Sequence, residues 1–197
     1  MKGNVFKTEY KLKQHTMLLH FQAKPTNEEN VCLRASEVKP KLDRFIVKKL
    51  EGKDKLKQAH PSWIQAEHQN GEDVALKYRM TIVRCSECMN IYETDHRTGK
   101  DKKNGVPEPD FVLPNIYYGN MGDKPEIYGV FFLDGLEIRI TCFIPELLKC
   151  IDEYIAEFFA VTNFGTMQSK GFGSFTVMGE KYKCDIATAL KANYDSK

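Results

Sequence analysis

The strongest constraint on the fold is an amphipathic pattern in the second half of the chain, at residues 144–165. Pro145 suits the first turn of a helix, and Gly165 suits a left-handed cap after its last turn. A helix with one apolar stripe must bury that stripe against another layer of the protein, so the rest of the chain has to supply a sheet or further helices. The predicted buried stripe is Leu148, Ile151, Tyr154 or Ile155, Phe158 and Phe159.

A second amphipathic helix is predicted earlier in the chain, with Ser36 as its N-cap, Pro40 near its start and Gly52 as its C-cap. Strand patterns flank both helices, and a short helix is expected within residues 184–197. The order β-α-β-β-α-β predicts an α+β, ferredoxin-like (RRM-like) antiparallel sheet with two helices on one face, plus a β-hairpin extension. The predicted strands are residues 5–21, residues 74–83, a type I′ hairpin around Asp134-Gly135, and residues 171–178.

Length and composition are those of one soluble domain, since the chain has 197 residues, of which 42% are hydrophobic and 28% charged. We expect a single domain over residues 1–197, with a mobile, charged insertion near residues 93–110. No apolar run reaches the roughly 18 residues of a membrane span, and the N-terminus lacks the apolar region of a signal peptide. These features predict a cytoplasmic protein without a membrane partner.

The charge is unevenly distributed along the chain. Residues 1–62 hold 14 basic and 7 acidic side chains, a balance of +7; because the whole chain carries +2, the remainder carries −5. Such an asymmetry predicts a localised face that binds a polyanion. A solvated, lysine-rich helix surface is the alternative explanation.

A glycine-rich segment, NFGTMQSKGFGSFTV, follows the second amphipathic helix. A helix cap explains Gly165 but leaves Gly171 and Gly173 unexplained. Glycines let a backbone approach phosphate closely, consecutive N–H groups form an anion-binding nest, and a lysine adds countercharge. The predicted phosphate-binding residues are Gln168, Ser169, Lys170, Gly171, Phe172 and Gly173.

This segment, together with LRASEVKPKLDRF at residues 33–45, resembles the RAMP superfamily of CRISPR-associated RNA-binding proteins, nearest to a subunit of type III-B effector complexes. Three features depart from the family pattern: Pro40 replaces a glycine, HTMLLHFQ replaces T-P-L-x-x-G-G, and Lys170 is a single basic residue where two are usual. Many members carry two such domains, and this chain has room for one. The residues that fit are Leu33, Arg34, Ser36, Lys39, Leu42, Phe45, Gly165, Ser169, Lys170, Gly171, Phe172, Gly173 and Ser174.

The resemblance implies an RNA-binding subunit of a CRISPR ribonucleoprotein that holds RNA phosphates with its glycine-rich loop. Arg34 and Lys39 would add countercharge from the start of the first helix, and aromatic side chains on the open sheet face would stack bases. The implied partners are RNA (CRISPR RNA or its target) and other CRISPR effector subunits, and no cofactor is expected.

Two other functions compete with this interpretation. One is a RAMP-type endoribonuclease that uses a histidine as general acid or base. His15 and His20 are its candidates, but His20 lies in the apolar run MLLHF, and the sequence favours a protein that is not an enzyme. The other is a ferredoxin-like protein-interaction module that does not bind RNA.

Cys85 and Cys88 have the spacing of half a zinc site. The chain holds no second Cys-x-x-Cys, so the sequence favours two surface thiols over a metal site.

Overall fold

A four-stranded antiparallel sheet forms the centre of the fold. The computed structural model describes residues 6–21, 33–67, 74–84, 88–92, 127–132 and 135–194. One long helix lies in sequence between the first and second strands of this sheet, and another lies between the third and fourth. The sheet order is second, third, first, fourth, which is consistent with the predicted ferredoxin-like arrangement. The elements are β1 Lys7–Gln14, α1 Ala35–Lys49, β5 Arg79–Arg84, β8 Leu136–Thr141, α3 Pro145–Val161 and β9 Phe175–Val177.

Helices α1 and α3 contact each other, and they cover the apolar side of this sheet. Tyr10 and Leu12 of β1 are buried toward the helices, while Glu9, Lys11 and Lys13 beside them are exposed. This alternation is the expected result of a strand whose neighbouring side chains point to opposite faces. The predicted stripe of α3 is confirmed, and Ile155 is its buried member where Tyr154 is only partly buried.

The predicted first strand is divided into two strands. The prediction of one strand over residues 5–21 is wrong, because β1 ends at Gln14 and β2, Leu18–Phe21, joins a separate three-stranded sheet. The side chain of Gln14 links the two sheets: its Nε2 donates to the Val130 carbonyl at 2.9 Å, and its Oε1 accepts from the Phe132 amide at 2.8 Å. The three-stranded sheet has the order β2-β7-β6, with β6 Cys88–Tyr92 and β7 Ile127–Phe132.

The hairpin predicted at Asp134-Gly135 is also wrong. Strand β7 pairs with β2 and β6, whereas β8 pairs with β1 and β5, so the turn carries the chain from one sheet to the other. Gly135 is needed there, because it has a φ of +77° and a Cβ would lie 2.0 Å from the Leu12 carbonyl oxygen.

The predicted strand over residues 74–83 is likewise divided. It breaks at residues 77–78, where the chain leaves a small two-stranded sheet and enters the main one. In sequence, helix α2, Lys53–Ala59, lies between α1 and the two-stranded sheet. The two-stranded sheet pairs β3, Ile64–Glu67, with β4, Val74–Leu76.

The ends of α1 differ in detail from the prediction. The helix is capped at Arg34, so Ser36 lies inside it, and so does Pro40. At the other end Glu51 adopts a left-handed conformation, and the Gly52 amide donates to the Val47 carbonyl at 2.9 Å, as in a Schellman motif. Gly52 therefore follows the left-handed residue of the cap.

The predicted short helix near the C-terminus is confirmed as α4, Ile186–Tyr194. The predicted insertion near residues 93–110 lies outside the described residues. In the described part of the chain, no helix combines the length and the apolar character that crossing a membrane requires.

Candidate functional site

The glycine-rich loop connects α3 to β9 over residues 162–174. Helix α3 ends at Val161, and Thr162 after it is extended, so the prediction that Gly165 caps this helix is wrong. A short 3₁₀ turn, Gln168–Lys170, lies at the centre of the loop. Four residues have left-handed backbone conformations: Gly165, Met167, Gly171 and Gly173.

Close packing explains two of the loop's glycines. A Cβ on Gly165 would lie 2.4 Å from the Leu19 carbonyl oxygen, and a Cβ on Gly173 would lie 1.9 Å from the Phe164 carbonyl oxygen. Both positions also use their amides, since Gly165 donates to Glu37 Oε1 at 2.6 Å and Gly173 donates to the Met17 carbonyl at 2.7 Å. Gly165 therefore lets the loop pack against β2, and Gly173 lets the two ends of the loop pack against each other.

Gly171 has a different environment. Its φ is +85°, but a Cβ at this position would meet nothing within 4 Å. Gly171 is exposed together with Ser169 and Lys170, whereas Phe172 is half-buried. Residues 169–171 therefore form the exposed tip of the loop, and we call them the loop tip below.

Three of the loop's backbone N–H groups have acceptors within the protein. The Lys170 amide donates to the Met167 carbonyl at 2.9 Å, and the Gly171 amide donates to the Gln168 carbonyl at 3.0 Å. With the Gly173 amide also bonded to Met17, three of the donors expected to face phosphate already have protein acceptors. The side chains of the loop tip are therefore better candidates for contact with phosphate than these backbone amides.

Lys41 of α1 holds the base of the loop, and sequence reasoning missed it. Its Nζ donates to the Asn163 carbonyl and to Gln168 Oε1, each at 3.0 Å, and lies 4.9 Å from the centre of the Phe164 ring. Gln168 in turn donates from Nε2 to the Gly165 carbonyl at 2.6 Å. Gln168, predicted to contact phosphate, is therefore bound on both sides of its amide within the protein. In the sequence Lys41 resembles any other lysine of a solvated helix surface.

Arg34 and Lys39, the two cations predicted to assist the loop, have different surroundings. Arg34 is exposed at the start of α1. The Lys39 ammonium donates to Asp43 Oδ2 at 2.7 Å and to the Leu76 carbonyl at 3.0 Å, and it lies 4.3 Å from the centre of the Tyr78 ring. Burial raises the pKa of the Asp43 carboxyl, and the neighbouring Lys39 opposes that rise. These contacts give Lys39 a structural role between α1 and β4.

The loop rests on the end of β1, beside His15. Thr16 Oγ1 donates to the Gly171 carbonyl at 2.7 Å and accepts from the Ser174 amide at 2.9 Å. His15 is exposed, and its Nε2 lies 2.7 Å from Thr176 Oγ1. The structure therefore brings His15 close to the predicted phosphate-binding loop. His20 lies in β2 opposite Tyr128, and its side chain is outside the described part of the structure.

The open face of the main sheet is charged and not aromatic in the part of the chain that the structure describes. Tyr10, the aromatic residue of β1, is buried on the helix side, so the expectation of stacking aromatics across this face is wrong for the described strands. At the centre of the face Arg139 Nε lies 2.5 Å from Glu137 and 3.5 Å from Glu9. The outward positions of β1 are Lys7, Glu9, Lys11 and Lys13.

The possible zinc half-site stays untested. Cys85 lies outside the described residues, and the side chain of Cys88, at the start of β6, is not described either. Within the described ranges, no three His, Cys, Asp or Glu side chains gather as metal ligands would. Cys142, Cys150 and Cys184 are free thiols, and burial raises the pKa of Cys150 to about 11.

A family model described as the Cmr1 N-terminal domain matches residues 5–197 of the chain. The chain belongs to this family. Membership in the Cmr1 N-terminal domain family confirms the predicted resemblance: the protein is a RAMP-like, CRISPR-associated subunit of a type III-B complex. No curated protein and no solved structure matches the chain significantly.

Proposed function

We propose that this Cmr1-family chain binds RNA within its type III-B complex and holds RNA phosphates at the loop tip. The observation that carries the proposal is the position of the tip: Ser169, Lys170 and Gly171 are exposed, and they adjoin the basic end of β1 through the Thr16–Gly171 hydrogen bond. Lys11, Lys13 and His15 are exposed along that end of β1.

The chemistry of this surface suits a sugar–phosphate backbone. The serine hydroxyl donates a hydrogen bond and the lysine ammonium supplies countercharge, and both are groups that contact phosphates without reading base identity. Gly171 leaves room for close approach, because no side chain stands between its backbone and solvent. The proposed ligand is CRISPR RNA or its target, bound largely without regard to base sequence.

The base of the loop is held in one arrangement before any ligand binds. Lys41 and Thr16 donate hydrogen bonds to the two ends of the loop, and Glu37 accepts one from the Gly165 amide. A preorganised loop loses little conformational entropy on binding, so more of the phosphate interaction contributes to affinity. Arg34, exposed at the start of α1, adds positive charge in the proposal, whereas Lys39 acts within the fold.

The test is the salt dependence of RNA binding in a Lys170→Ala variant. We expect weaker binding to single-stranded RNA and a plot of log K against log salt that is shallower by about 0.7, since one phosphate contact is lost. Lys55→Ala is the matched control, because it removes an exposed lysine from α2, outside the loop. The assignment of the loop tip is wrong if Lys170→Ala and Lys55→Ala show the wild-type affinity and slope.

A further inference from the structure

An exposed aromatic pair lies at the other end of the main sheet from the glycine-rich loop. The rings of Phe6 and Phe143 are 5.7 Å apart between centroids, with 44° between their planes. Phe143 is 80% exposed and Phe6 is 44% exposed. They adjoin the last rung of the β1–β8 ladder, where the Cys142 amide donates to the Phe6 carbonyl at 2.9 Å. Phe143 has the largest exposed fraction of any large apolar side chain in the described residues.

The turn that carries Phe143 is well anchored, so the outward position of this ring is built into the fold. Cys142 before it is buried, and Cys142 Sγ lies 3.4 Å from the carbonyl oxygen of Ile144. Ile144 packs against the hydrophobic core, and Pro145 then begins α3. With a buried residue on one side and a packed one on the other, the chain presents the Phe143 ring to solvent.

Two exposed cations lie at the same end of the main sheet. Lys7 of β1 and Arg79 of β5 lie opposite Thr141, one on each side of β8, and both are exposed on the open face. Aromatic rings flanked by lysine and arginine are the usual elements of single-stranded nucleic-acid binding, because bases stack on the rings and the cations neutralise phosphates.

The charges of the open face divide it into two basic ends. At its centre Arg139 is shared between Glu137 and Glu9, and Glu9 also pairs with Lys7 at 2.6 Å, so these charges largely offset one another. Arg79 adds positive charge at the end of the face nearest the aromatic pair, and Lys11 and Lys13 add it at the end beside the loop. Strand β1 has 8 residues, so its first and last residues lie roughly 23 Å apart at about 3.3 Å per residue.

We propose that a single RNA strand bound at the loop tip continues along β1 and stacks a base on Phe143, with Lys7 and Arg79 neutralising the adjacent phosphates. This second contact rests on the proposed function, since it needs an RNA strand already held by the loop. It gives the RNA a minimum length, because a short oligonucleotide reaches the loop but not the aromatic pair. A partner protein on the same pair is the competing occupant, because exposed aromatic side chains also mark protein interfaces.

The test compares oligouridylates of about 4 and about 15 nucleotides, lengths that bracket single-stranded sites of this kind. Wild-type protein binds the longer oligonucleotide more tightly. Phe143→Ala lowers that affinity about tenfold, within the range of one lost base stack, and leaves binding of the shorter one unchanged. Its salt slope stays at the wild-type value because no charge is removed. The substitution is at an exposed position, and a thermal melt checks that the fold is retained.

A Phe143→Trp variant gives a direct reading of stacking. The native chain has one tryptophan, Trp63, which is buried, so the added indole dominates any change in fluorescence on RNA binding. We expect quenching by the longer oligonucleotide and none by the shorter.

Several outcomes would overturn the inference. One is that the indole of Phe143→Trp is not quenched and that Phe143→Ala binds the longer oligonucleotide with wild-type affinity. If Lys170→Ala still weakens binding in that case, the proposed function holds and only the second contact is wrong. Another is that Phe143→Ala weakens association with a protein subunit and leaves RNA affinity intact, which assigns the pair to a protein interface. If wild-type protein binds neither oligonucleotide at low salt, the proposed function falls together with this inference.

Discussion

Replacing Lys41 with methionine separates the support of the loop from direct contact with RNA. The substitution keeps an apolar stem over the Phe164 ring and removes the ammonium that bonds the Asn163 carbonyl and Gln168 Oε1. A hydrogen bond to a charged group contributes about 1.5–3 kcal/mol. The Lys41 side chain is 22% exposed, and water replaces part of what is lost. We therefore expect the free energy of unfolding to fall by about 2 kcal/mol in total.

The expected effect on RNA is a loss of affinity without a change in salt slope. Without the ammonium, Gln168 is no longer held from α1, so binding must first order the loop and the affinity falls about fivefold to tenfold. The slope of log K against log salt stays at the wild-type value, because Lys41 faces the underside of the loop and contacts no phosphate. Lys170→Ala, in contrast, lowers both quantities.

The assay is urea unfolding together with fluorescence anisotropy of labelled single-stranded RNA over a series of salt concentrations. Lys41→Arg retains donors and charge and is expected to recover most of the affinity. Lys48→Met removes an exposed lysine from the same helix and controls for net charge. A slope that falls in Lys41→Met as far as in Lys170→Ala refutes the supporting role, since it means that Lys41 touches phosphate. If Lys41→Met is less stable but binds RNA with wild-type affinity, Lys41 stabilises the fold and does not support RNA binding.

Two further predictions concern stability and use the same unfolding measurement. Gly173→Ala places a Cβ 1.9 Å from the Phe164 carbonyl oxygen and should lower the free energy of unfolding by more than about 3 kcal/mol. Gly171→Ala is strained only by its positive φ and should lower it by about 1 kcal/mol. Equal losses in the two variants contradict the packing assigned to the loop. Gln14→Leu leaves the Phe132 amide and the Val130 carbonyl without their side-chain partner and should cost roughly 3 kcal/mol, at about 1–3 kcal/mol for each orphaned group. A loss below 1 kcal/mol indicates that the two sheets are held together by apolar contacts alone.

The two long helices, α1 and α3, were predictable because their signal is local. The spacing of apolar residues along α3 depends on the helical repeat alone, and the structure buries the predicted stripe with Ile155 as its central member. Strand partners are set by distant residues, and there the predicted hairpin is wrong although the order of the main sheet is consistent with the prediction. Asp134-Gly135 has the composition of a hairpin turn, but the position of Gly135 is fixed by Leu12, whose carbonyl oxygen occupies the space of a side chain.

The candidate site was predictable to a similar degree. The exposed serine and lysine of the loop tip follow from the motif, because polar residues between glycines rarely enter a core. The attachment of the loop to α1 does not follow, since Lys41 and Gln168 are 127 positions apart and either residue alone looks like a surface side chain. Lys39, which fits the family motif, proved to be bound to Asp43 inside the fold.

The glycines of the loop show why a motif rich in glycine is weak evidence for phosphate by itself. Gly165 and Gly173 are required by backbone oxygens of Leu19 and Phe164, so a loop with no ligand would need both of them. Gly171 alone of these three faces open space, and its left-handed conformation presents a bare backbone next to Lys170. The support for RNA binding therefore comes from the exposed tip and from the cations of β1 beside it. A Gly171→Ala variant that folds normally and still loses RNA affinity would place the phosphate against this backbone.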